Sequence, residues 1–79
     1  MSHVPHELRE EFPEFADTIH KLKEENAHFR RVSEEYHEVN RSIHRLENGD
    51  EHASQFDEDN LRKERIRLKD EIYSLLKTA

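Results

Sequence analysis

The 79-residue chain has no cysteine, no tryptophan, one glycine and two prolines. Without cysteine there is no disulfide, no thiolate metal site and no cysteine nucleophile. A single glycine leaves no room for a glycine-rich loop that cradles phosphate. Together with the two prolines, it argues for long, uninterrupted elements. Long apolar runs are missing as well. No stretch approaches the roughly 20 apolar residues that a membrane span needs. The opening "MSHVPHELREEF" lacks the apolar core of a signal peptide, so a cytoplasmic location and no membrane partner are expected.

What is abundant is charge. Charged residues make up 41% of the chain and hydrophobic ones only 32%. The length allows one domain with a thin core. Small scaffolds of this kind are stabilised by a disulfide, a metal or a partner subunit. Here efficient helix packing and self-association remain. A charged, hydrophilic chain can also be disordered, but the apolar residues recur periodically, which a solvated coil has no reason to do. The net charge of −6 is uneven. Residues 1–56 hold thirteen acids against seven Lys and Arg, whereas 57–79 hold six of each. An acidic surface repels a phosphate backbone, so nucleic acid is not an expected partner.

The spacing predicts an all-α fold with a short helix over about 13–24 and two long ones over about 27–47 and 56–77. A polar linker covers 48–55. In the first helix Leu8, Phe12, Phe15, Ile19 and Leu22 follow steps of four, three, four and three. Pro13 interrupts that series, and proline is tolerated only in a first helical turn. The helix therefore starts at Pro13, with Leu8 and Phe12 folding back over its start. Glu14 and Asp17 suit its positive end. Asn26 is a good N-cap for the second helix. The apolar phase changes there: positions 15, 22, 29, 36 and 43 keep a seven-residue repeat while their neighbours shift. A break between two packed helices or a continuous helix with a stutter would both produce this.

The second helix carries Phe29, Val32, Tyr36, Val39, Ile43 and Leu46 at alternating steps of three and four. It ends at Asn48-Gly49, a C-cap signal. Ser54 followed by Asp57 is a short variant of the capping box. The third helix has Leu61, Leu68, Ile72 and Leu75 as its facing stripe, interrupted by Arg65 where leucine would be expected. Two helices of about 30 Å joined by a short linker predict an antiparallel, coiled-coil-like hairpin. These ten apolar residues are its expected core. Ile66, Tyr73 and Leu76 fall on a second face, roughly a third of a turn away. That face, with Phe12 and Phe15, is expected to meet either the first helix or a partner.

The stretches "AHFRRVSEEYHEVNRSIHRLE" and "LRKERIRLKDEIYSLLKTA" resemble the YdcH-like family of small bacterial proteins, a domain family of unknown function. The N-capped "NAHF", the "EEYHEVNRSIHRLE" stripe and the terminal "LKDEIYSLL" carry the resemblance, which covers nearly the whole chain. It implies a small helical hairpin in a bacterial cytoplasm. It carries over no catalytic residue.

His37 and His44 flank the stripe one heptad apart, about 10 Å along the axis, which is too far to share one zinc ion. They are expected to flank a helix–helix seam, bonded to acids. His3 and His6 lack the His-Glu-x-x-His arrangement of a zinc protease helix. No metal and no cofactor are expected. Seven histidines can still make stability or assembly depend on pH between about 5 and 8. In "LRKERIRLK", the basic residues Arg62, Lys63, Arg65, Arg67 and Lys69 spread around the helix with no interleaved aromatic. They are expected to pair with Glu34, Glu35, Glu38 and Glu47 of the second helix. Ser33, Ser42, Ser54 and Ser74 have no recognisable base or nucleophile elbow. A fold this small is expected to offer no pocket of roughly 300 Å3.

The sequence thus points to a non-enzymatic helical interaction module whose partner is a protein, either itself as a homo-oligomer or another chain. Two other classes remain: a nucleic-acid-binding accessory using residues 61–69, and a metal- or pH-responsive regulator using its histidines.

Overall fold

The computed structural model describes residues 6–49 and 54–79. His3 and the linker positions 50–53 lie outside the described residues. Every regular element among the described residues is helical. A single helical turn, α1 (Leu8–Glu11), leads into a 3-10 turn (Pro13–Phe15) and then α2 (Ala16–Glu25), α3 (Ala27–Glu47) and α4 (Gln55–Thr78). Where one helix from Pro13 was expected, the chain makes a 3-10 turn and then α2, and the segment before it adds the single turn α1. Phe12 (φ −130°, ψ 61°) breaks the run because the following proline disfavours helix in the residue before it. Pro13 then takes the first position of the 3-10 turn, where its missing amide hydrogen is not needed.

Local chemistry sets the ends of the long helices. Asn26 is extended (φ −125°, ψ 107°) and its Oδ1 accepts the Phe29 amide at 3.0 Å. Ser54 does the same for Asp57 at 3.1 Å. At the far end of α3, Gly49 adopts φ 80° and its amide reaches the Leu46 carbonyl at 3.2 Å, a left-handed stop that glycine takes without strain.

The two long helices pack against each other, and α2 packs on α3. His28 Nε2 meets Glu71 Oε1 at 3.1 Å, and Arg65 Nη1 donates to Asn40 Oδ1 at 3.1 Å. Residue numbers therefore rise along α3 as they fall along α4. One apolar cluster joins all parts: Leu8, Phe12 and Ile19 from the N-terminal elements, Phe29, Val32 and Tyr36 from α3, and Leu68, Ile72 and Leu76 from α4. Among the described residues no helix is long and apolar enough to cross a membrane.

The buried line of α3 is rotated from the expected one. Val39 and Leu46 are only half-buried, whereas Ser33 and Asn40 are 1% and 2% exposed. At 100° per residue, the shift amounts to roughly 40° toward the His37 flank. The cause is that α3 is covered from two sides, by α4 and by the N-terminal elements. Leu76, expected on a second face that meets the first helix or a partner, continues the line of Leu68 and Ile72 at steps of four and is buried in one cluster with Leu8, Phe12 and Ile19. Leu61 and Leu75 are half-buried.

Candidate interaction surface

The N-terminal elements form an arm that crosses the open side of α3 and α4. Its position follows from side chains. Phe12 stacks on Tyr73 with ring centroids 5.7 Å apart and planes 7° apart. Phe15 meets both rings edge-on, at 6.4 and 6.2 Å. The Lys69 ammonium lies 5.8 Å from the Phe12 ring centre and bonds Glu11 Oε1 at 2.9 Å. Lys77 sits 5.1 Å from the Tyr73 ring centre. Four of the five residues predicted to face a partner or the first helix, namely Phe12, Phe15, Tyr73 and Leu76, are thus gathered around the arm. Ile66 stands apart and is 60% exposed.

Polar bonds hold the start of the arm. The Tyr36 hydroxyl donates to the His6 carbonyl at 2.6 Å. His6 takes a left-handed backbone (φ 65°) that turns this carbonyl inward. Burial pushes the Tyr36 pKa up to about 12, helped by the charges of Glu11 and Glu7 and opposed by Arg65. His37 Nδ1 meets Glu7 Oε2 at 3.1 Å. Burial depresses the His37 pKa below its ordinary value, and Lys23 and Arg41 act in the same direction against Glu7. The bond from Lys69 holds the Glu11 carboxyl below the usual range, against partial burial and with help from His6 at 3.2 Å. His44 Nε2 lies 3.1 Å from the side-chain amide nitrogen of Asn48 on its own helix end.

Of the acids of α3, Glu35 acts on Arg67 through its charge, and closer acids lie on α4 itself and on the arm. Arg62 faces Glu58, Arg67 faces Glu64 and Glu71, and Lys69 reaches Glu11. Helical geometry favours these short-range partners because residues three and four apart share a face. Arg65 turns inward to Asn40. Glu38 is taken by Arg41 at 2.6 Å on its own helix.

A recess of about 730 Å3 runs along α3 and touches α4 at Glu64 and Leu68. It exceeds the size that so small a fold was expected to offer. Its walls include Arg31, Glu34, Glu35 and Arg41, and it is open to solvent, so it does not sequester a ligand as an enclosed pocket would. Among the described residues no group of three or more His, Asp or Glu is placed to hold a metal ion.

Two features escaped the sequence. Phe56 is 73% exposed in the first turn of α4, far around the helix from the buried line. Its sequence signal was an aromatic outside every stripe. Ser33 is buried with its hydroxyl unpartnered, and only the rotation of α3 makes that visible.

These elements define a small all-helical protein with a paired-helix core and a docked arm. Residues 29–76, which span α3 and most of α4, match the family described as Protein of unknown function (DUF465). The chain is 31% identical over 65 residues to the uncharacterized protein YdcH of Escherichia coli (strain K12), covering 82% of this chain and 88% of that protein. The uncharacterized protein YdcH of Shigella flexneri matches to the same extent. No solved structure matches. The chain belongs to this YdcH-like family of unknown function.

Proposed function

We propose that the protein is a non-enzymatic helical interaction module that associates with a second copy of itself. In this reading α3 and α4 form an antiparallel, coiled-coil-like hairpin that presents helical faces to the second copy. A cytoplasmic location is part of the same proposal and fits a surface this rich in charge. The observation that carries it is apolar surface left in water by a chain that has little to spare. Ile66 and Tyr73 are 60% and 42% exposed, one heptad apart on α4. A row of that kind is a helix-in-groove or helix-on-helix contact waiting for its other half. The open recess supports a surface role more than a catalytic one.

Sedimentation equilibrium over a wide concentration range tests this. A dimer or higher species is expected, and Ile66→Glu should weaken it at least tenfold while leaving the helical circular dichroism unchanged. A clean monomer at every concentration would overturn the reading.

A further inference from the structure

We infer that the arm is exchangeable: residues 6–25 of one chain can dock on α3 and α4 of a second copy, with Asn26 as the hinge. This rests on the self-association proposed above and adds, beside the contact over Ile66, a second link between the same two copies.

The joint is a single residue. The Asn26 amide already donates to the Leu22 carbonyl at 2.8 Å, and the Arg30 amide already takes the Asn26 carbonyl at 3.0 Å. The helical ladder is thus in register on both sides of the bend. What interrupts it is the extended backbone of Asn26, whose side chain serves the Phe29 amide. Turning that one residue to helical angles would merge α2 and α3 into one helix over 16–47. The first amides of α3, which have no intrahelical partner at any helix start, would gain carbonyls of α2. The Lys23 carbonyl, now held by Arg30 Nε at 3.0 Å, would receive the Ala27 amide instead. The apolar repeat supports this: Phe15, Leu22, Phe29, Tyr36 and Ile43 keep a seven-residue spacing straight through the joint. Lysine, glutamate and alanine around it are all good helix formers.

Opening the joint costs the Asn26 cap, the Arg30 bond and every contact of the arm. A second copy returns the arm contacts unchanged. It carries the same Tyr73 for Phe12, the same Lys69 for Glu11 and the same Tyr36 hydroxyl for the His6 carbonyl. Reciprocal exchange between identical chains closes on itself as a dimer, so no surface is left to propagate. A hinge of one residue between two helices is the kind of short connection that invites such exchange.

Two substitutions separate the bent and straight joints. Ala27→Pro fits the bent form, because position 27 is the first of α3 and the residue before it is already extended. It opposes the straight form, where proline would stand inside a helix, and should weaken exchange about 100-fold. Asn26→Ala removes the cap, favours the straight form and should strengthen exchange about tenfold. The direct reading uses the absence of cysteine. Full-length Glu11→Cys and Lys69→Cys chains are refolded together and treated with a short bis-maleimide. Linked peptides are then read by mass spectrometry.

Exchange predicts 11–69 links between chains, increased with Asn26→Ala and lost with Ala27→Pro. A dimer indifferent to both substitutions and without 11–69 links overturns arm exchange but leaves self-association standing. Monomers in the wild type and in both variants overturn both.

Discussion

Arg65 and Asn40 meet inside the contact between α3 and α4, with Nη1 and Oδ1 3.1 Å apart, at a place where leucine would pack. Asn40 is fully buried. Such a polar pair in an apolar seam lowers stability but selects one register, because slipping by a turn leaves both groups without each other. Asn40→Ala should therefore cost about 1–3 kcal/mol. The double change Asn40→Leu with Arg65→Leu should recover wild-type stability or exceed it. Urea unfolding measures the first effect. Sedimentation of the double variant should show mixed species, the cost of losing the register device.

Ser33 should be better replaced. Its hydroxyl is buried without a partner, and serine is a weaker helix former than alanine. Ser33→Ala is expected to raise stability by about 1 kcal/mol. An unchanged or lowered melting temperature would mean that the hydroxyl has a bond in solution.

Tyr36 links the arm to the core and predicts an alkaline transition. Its pKa is raised in the folded chain from an ordinary 10.0 to about 12. The folded state thus holds its proton more tightly than the unfolded one. That stability is full below pH 10 and is lost as pH rises through 12. Tyr36→Phe should cost about 0.5–1.5 kcal/mol at neutral pH through the lost bond to the His6 carbonyl. It should also remove this part of the alkaline slope in melts followed by circular dichroism.

His37 works in the opposite range. Burial lowers its pKa beneath the ordinary 6.5, so the unfolded chain takes up the proton first. Its contribution is complete above about pH 7 and drains away as pH falls through 6.5 and the lower folded value. Glu7 opposes the shift, while Lys23 and Arg41 add to it. Glu11, with its pKa held below 4.5, adds a second loss in more acid solution. His37→Gln should flatten the melting temperature between about pH 7 and 5 and leave the later loss in place. An unaltered slope would assign the acid sensitivity to another histidine.

Two leucine-sized residues on α4 should behave very differently. Leu76→Ala empties the core beneath the arm and should cost about 2–5 kcal/mol. Ile66→Ala removes an exposed side chain and should change monomer stability by no more than about 0.5 kcal/mol. Chemical denaturation of both variants distinguishes core from surface directly.

Much of this protein was legible from spacing and end signals. The helical class, the two long helices, the Asn26 and Ser54 caps and the Gly49 stop are local matters. Each depends on residues within one or two turns, and that chemistry is complete in the sequence. The family likeness was also carried by local patterns along α3 and α4.

What lay beyond the sequence was whatever depended on two elements meeting. Ser33 and Asn40 read as flank residues because a stripe counts apolar side chains, yet α3 is covered from two directions and its buried line turns toward them. Leu76 read as part of a face that either the first helix or a partner could cover, and the arm covers it. The basic residues of α4 were matched to α3 by charge alone, but helix geometry offered Arg62 and Arg67 nearer acids on their own helix, and the arm brought Glu11 to Lys69. Sequence determined which segments are helical and where they stop, since short-range bonds decide that. The tertiary structure decided which faces are covered, because burial depends on the relative placement of elements distant along the chain.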